Sequence, residues 1–307
     1  MNMKNINKLF ISLMILLIGM LSCDRDEVFN KEQYKNVFAL ISGTDNVYSK
    51  FYDLRDIESI GYLSVSCGGT NPIQKDIDIS LVEDSLLVET YNKTNFDVEY
   101  IKYAHILPKS KYDIDSYSLK IPAGEIKASL PIRIRPEGLS PDSTYFIPLR
   151  IDSHDAYEAN PEKSYVLFRI RVKNFYAKDD GTTYNLVGKE SERSIFGTKI
   201  MQPISANKVR IMAGTETYLS DIEKFNKYAI ILEIDENDKV HVKPYGNIQV
   251  TQVDNDLEYP NIFKIEYDGY RYYKTFLLRY NYTSDNKNYQ LKEELRLQFD
   301  PENEQEL

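Results

Sequence analysis

Tryptophan is absent from the chain, cysteine occurs twice and histidine three times. Without Trp the largest flat platform for stacking on a sugar ring is missing, so such a role falls to tyrosine. His105, His154 and His241 are too scattered for a metal site to be read from spacing. A basic excess is also lacking. The formal net charge of -9 argues against nucleic acid or an anionic lipid surface as partner. No apolar run reaches the roughly 20 residues that span a bilayer comfortably, which argues against an uncleaved membrane anchor. Internal repeats and low-complexity tracts are missing, and extended helical periodicity is absent from residues 37–175.

What is present begins with a leader. Lys4 and Lys8 precede the apolar run, and the small Ser22 precedes Cys23. That is the layout of a secretory signal: charged, apolar, small-residue cleavage site. Met20-Leu21-Ser22-Cys23 resembles a bacterial lipobox, although the family pattern prefers Leu where Met20 stands. The resemblance implies cleavage before Cys23 and lipid attachment at it. Several acyl chains anchor firmly, because each buried methylene adds about 0.8 kcal/mol. Asp24-Arg25-Asp26-Glu27 resembles the surface-export signal of Bacteroidetes lipoproteins. It implies an outer-membrane protein facing the cell exterior; a periplasm-facing lipoprotein with a polar linker is the alternative. With Cys23 acylated, Cys67 is alone and no internal disulfide forms. In YLSVSC, Cys67 reads as a small buried apolar residue.

The chain divides into a signal (1–22), a tether (23–36), two β-rich blocks (37–175 and 180–300) and an acidic tail (301–307). In the first block, residues 126–134 alternate apolar and polar, as a half-buried strand does. Pro131 lacks an N–H, which assigns this strand to an edge or a bulge. Strands are also expected at 118–121, 144–151 and 164–173, the last with Val166, Phe168, Ile170 and Val172 on one face. Short strands between turn signals indicate an antiparallel sandwich. Asn174 to Thr183 reads as the boundary. The second block shows strands at 184–188, 208–212, 228–234, 239–244, 248–253, 262–267, 272–282 and 289–299. Hairpin turns fall at 235–239 and 284–288, and one short helix is expected within 217–226.

The first block resembles the N-terminal domain of the DUF1735 family of Bacteroidetes surface lipoproteins. The pieces that carry this are Tyr117-Ser-Leu-Lys-Ile-Pro-Ala-Gly-Glu, Pro131-Ile-Arg-Ile, Gly138-Leu-Ser-Pro-Asp-Ser-Thr-Tyr and Ile147-Pro-Leu-Arg-Ile. Lys163-Ser-Tyr-Val-Leu and Arg171-Val-Lys-Asn complete the set. The second block is similar to a companion domain, DUF4361, on its last hairpin, Tyr282 to Leu295. The resemblance implies an all-β protein: an immunoglobulin-like antiparallel sandwich, then a second antiparallel β domain, sandwich or barrel-like. It also implies an accessory lipoprotein of polysaccharide utilisation, and it carries no catalytic residues.

The residues add little chemistry. Asp113/Asp115 and Asp76/Asp78 are the tightest carboxylate pairs, and solvated strand ends account for them. Asp235-Glu-Asn-Asp-Lys begins like a calcium loop, but Lys239 and the missing Gly break the pattern. Asn92-Lys-Thr94 and Asn281-Tyr-Thr283 match the N-glycosylation acceptor, and Asp84-Ser-Leu and Asp142-Ser-Thr resemble Bacteroidetes O-glycosylation triplets. Neither a cofactor nor a metal is called for. The ligand-binding residues expected are Tyr270, Arg271, Tyr272 and Tyr273, crowded about a tight Asp268-Gly269 turn. Beyond them Phe276, Leu278, Tyr280 and Tyr282 read as core. The expected partners are a glycan, an outer-membrane importer or a surface hydrolase, and the membrane through the lipid anchor. An adhesion or complex-assembly subunit is the alternative reading, and an enzyme ranks third.

Overall fold

The computed structural model describes residues 34–219 and 221–302. The leader, Cys23, most of the tether and most of the tail lie outside the described residues. Two facing sheets occupy residues 37–173. One runs, in spatial order, Glu158–Ala159, Val37–Leu40, Ser59–Gly68, Lys127–Ile134 and Tyr112–Asp113. The other runs Val47–Asp53, Tyr165–Lys173, Tyr145–His154, Ile77–Glu83 and Ser118–Ile121, with His105–Ile106 beside Tyr145–His154. Alternation decides the packing. Val166, Phe168, Ile170 and Val172 point inward and meet Leu130, Ile132 and Ile134 in one buried cluster. The Lys127–Ile134 strand pairs with Ser59–Gly68 along its length, but its other edge is paired only at Arg133 and Ile134. Pro131 therefore sits where no ladder bond is lost, as expected of a proline in a strand. Cys67 is buried in the same core.

Three features differ from the sequence-based expectation. The sandwich is not purely antiparallel: Val47–Asp53 runs parallel to Tyr165–Lys173, and two short edge pairings are also parallel. A helix, Leu86–Phe96, lies in the first block. Its sequence hides it, because Val88 and Asn92 are its buried residues and the other positions are mixed. Tertiary packing sustains it: Val88 meets Phe146 and Leu167 on the outer face of the second sheet. A long strand, Arg193–Ser205, was also not expected. Gly197 and Pro203 interrupt its pattern and read as loop signals.

Residues 182–299 form a single curled sheet. Its order is Val240–Pro244, Ala229–Ile234, Lys208–Met212, Arg193–Ser205, Thr182–Glu190, Lys287–Phe299, Tyr272–Ser284 and Gln249–Gln252. Ile262–Tyr267 pairs with the first part of Tyr272–Ser284. The two ends nearly meet. The Val242 amide donates to Gln252 Oε1 at 2.7 Å, and the Val240 amide to the Asn261 carbonyl at 2.8 Å. The result is an almost closed antiparallel barrel. Phe276, Leu278, Tyr280 and Tyr282 fill its core with Leu291 and Leu295. The expected helix is Ile222–Tyr228, capped by the Asp221 carboxylate on the Glu223 and Lys224 amides.

Asn174 ties sandwich to barrel. Its side-chain amide donates to the Ser205 and Lys208 carbonyls, and its Oδ1 accepts from the Tyr176 and Ala177 amides. A polar residue that reads as linker is thereby buried.

Candidate functional site

The expected tyrosine hairpin is real, but it does not gather its four residues. The turn spans Asp268 to Arg271, since Tyr267 and Tyr272 are the last paired residues. It is four residues long, not a two-residue Asp-Gly turn. Asp268 accepts from the Tyr270 amide at 3.0 Å and the Arg271 amide at 2.9 Å. These backbone hydrogen bonds hold its carboxyl below the ordinary range. Tyr270 is 92 % exposed, at the tip. Arg271 reaches Gln298 Oε1 at 3.2 Å. Tyr272 and Tyr273 are successive strand residues and so face opposite ways. Tyr273 lies under the Arg296 guanidinium at 3.8 Å. Tyr272, 41 % exposed, stacks at a tilt on Tyr267, with ring centroids 4.7 Å apart.

Of the four, Tyr272 lines a cleft. The cleft measures about 780 Å³ and lies between sandwich and barrel. Asp53, which ends the Val47–Asp53 strand, and Arg55 and Asp56 just after it form one wall. Ile265, Tyr272 and Phe299 form the other, and Lys173, at the end of its strand, and Phe175 of the connector also line it. Arg55 is the polar centre. Its Nε donates to Asp53 Oδ1 at 2.9 Å and its Nη2 to Asp53 Oδ2 at 2.6 Å, a bidentate fork. The same guanidinium lies 5.7 Å from the Phe175 ring. A second depression, of about 880 Å³, continues beyond Arg55, Phe175 and Ile265 toward Asp235–Asp238. The two depressions share these three residues and line the junction as a trough.

The trough offers binding chemistry. Burial pushes the Asp53 carboxyl up, but the hydrogen bonds and charge of Arg55 outweigh it, and it stays below the ordinary range. An ionised, fork-held carboxylate is no proton donor. Asp56 accepts from Ser59 Oγ at 2.5 Å. Aromatic faces beside fixed polar groups are what sugar rings require: apolar C–H faces to stack and hydroxyls to orient. Sequence reasoning missed Arg55, Asp53 and Phe175. Asp-Leu-Arg after a strand carries no motif, and nothing local says that the barrel will face it.

The other expected chemistry resolves as structure. Asp113 and Asp115 pair with Arg135 and Arg133, and Asp76 and Asp78 with Lys120. Asp235 is a hairpin residue whose carboxylate meets His241 Nε2 at 3.0 Å. Among the described residues, no cluster of His, Cys, Asp and Glu could hold a metal ion.

A family model described as an N-terminal domain matches residues 29–158, and one described as a C-terminal domain matches residues 164–296. A crystal structure of a protein of unknown function from Bacteroides ovatus is 17% identical, with a TM-score of 0.59 over 86% of this chain and 94% of that one. A multidomain protein including DUF1735 from Bacteroides ovatus is 16% identical, with a TM-score of 0.59 over 85% and 94%. An auxiliary nutrient binding protein from Bacteroides thetaiotaomicron is 14% identical, with a TM-score of 0.53 over 84% and 94%. At these identities the likeness is one of fold. No curated protein matches the chain.

Proposed function

The chain belongs to the family of two-domain proteins that the paired N-terminal and C-terminal models describe, and from that premise we propose a surface lipoprotein that binds glycan without cleaving it. Lipid on Cys23 would hold it to the outer membrane, facing outward. The captured chain would pass to a neighbouring importer or surface hydrolase. One observation carries the reading: a trough between sandwich and barrel, with the Tyr272 face on one wall and the Arg55–Asp53 fork on the other. The solved relative named as a nutrient-binding protein supports it. The test is a polysaccharide array with the full chain and with Tyr272→Ala. Binding to at least one polysaccharide, weakened tenfold or more in the variant, is expected. Binding to none, or equal binding by both, would overturn the reading.

An adhesion or assembly subunit is the second reading. Val98, Tyr100 and Ile101 are exposed after the Leu86–Phe96 helix and favour it. Light scattering would detect self-association that is lost in Val98→Ser/Ile101→Ser.

A further inference from the structure

The barrel wall is open in one place. Arg193–Ser205 pairs with Thr182–Glu190 from Arg193 through Met201, but with Lys208–Met212 only from Gln202 through Ser205. Among the described residues, Phe196–Met201 makes no ladder bond on that second side. The chain leaving Met212 swings away and leaves a fissure of about 310 Å³. Phe196 to Ile200 line one side, and Gly214 to Tyr218 line the other. Gly214 is required there. Its φ is +52°, and a Cβ would stand 2.2 Å from the Tyr282 hydroxyl.

The lining is polar and pre-set. It includes Thr198, Thr215, Thr217, Glu216 and Lys199. Lys199 is 5 % exposed, and its Nζ donates to Glu293 Oε2 at 2.5 Å. Glu293 is that ammonium's one acceptor among the described residues, so two of its three N–H bonds lack a protein partner. Buried polar groups of this kind are normally satisfied. Glu293 also accepts from the Tyr280 hydroxyl at 2.8 Å, and that hydroxyl accepts from the Gly214 amide at 3.0 Å. The ammonium is thus held from behind by a relay anchored in the opposite wall. Glu293 already neutralises it, and Glu216 adds negative charge, so an anion is disfavoured. A neutral oxygen acceptor suits the open N–H bonds. At the mouth, Phe196 is 87 % exposed and offers a flat apolar face.

We propose that this fissure is a second carbohydrate subsite that takes one neutral sugar ring. The inference rests on the glycan-binding reading above and adds a site separate from the trough. Its test titrates the full chain with glucose, galactose, mannose, xylose and N-acetylglucosamine, and with glucuronate, by calorimetry. The variant is Phe196→Ala/Thr217→Val at the fissure; both side chains are exposed, so folding is preserved. The expected result is binding of a neutral sugar and not glucuronate, weakened tenfold or more by the fissure variant. Sugar binding that the fissure variant leaves intact would overturn the proposal. So would polysaccharide binding with no single sugar bound, and that outcome leaves the trough reading standing. Absence of any carbohydrate binding would overturn both.

Discussion

Asp142 of the sandwich grips Arg210 of the barrel. Arg210 Nη1 donates to Asp142 Oδ2 at 2.7 Å, and Nη2 makes a parallel bond to Oδ1. Arg210 is 2 % exposed, with its guanidinium 3.7 Å from the Phe225 ring centroid and 4.8 Å from that of Tyr245. Such a cation needs its counter-charge. Asp142→Ala is therefore expected to cost about 3 kcal/mol in chemical denaturation. Asp142→Asn, which keeps one acceptor, should cost clearly less.

Glu83 sets an acid limb on stability. Burial pushes its carboxyl up, but hydrogen bonds from Lys109, Tyr117 and Tyr112 outweigh that and hold it below the ordinary range. A depressed folded value stabilises above the unfolded value of about 4.3, and the gain is lost as pH falls through the folded one. Urea midpoints of wild type should exceed those of Glu83→Gln at neutral pH. The two should converge in acid, and a constant gap would refute the assignment.

Asn92 is a structural residue in spite of its acceptor motif. It is buried, and its amide donates to the Ala104 carbonyl at 2.9 Å while its Oδ1 accepts from the Ala104 amide at 2.8 Å. Asn92→Ala should cost about 2 kcal/mol by leaving both backbone groups unpaired. Peptide mass mapping should find Asn92 unmodified.

Tyr52 carries a hydroxyl that is buried without a hydrogen-bond partner. Tyr52→Phe should stabilise the protein by about 1 kcal/mol, read from the denaturation midpoint. Gly61 exists for the same hydroxyl, since a Cβ there would lie 2.0 Å from it. Gly61→Ala should destabilise, and Tyr52→Phe should recover part of the loss.

Tyr272 and Tyr273 looked like one site because they are adjacent, yet a strand turns neighbours to opposite faces. The Leu86–Phe96 helix escaped because two buried residues make a weak period. Arg193–Ser205 escaped because Gly197 and Pro203 are punctuation in a sequence but tolerable where a strand leaves its partner.

Local alternation determined the β class and most strand positions, and turn-forming residues the tight turn at Asp285-Asn286, whose φ values of 48° and 60° suit Asp and Asn. These rest on interactions a few residues long, which a sequence displays directly. Tertiary structure alone decided the near-closure of the barrel, the fissure beside Lys199 and the trough that Arg55 and Tyr272 line from opposite walls. Each depends on contacts between segments far apart in the chain, and no local pattern encodes which distant faces will meet.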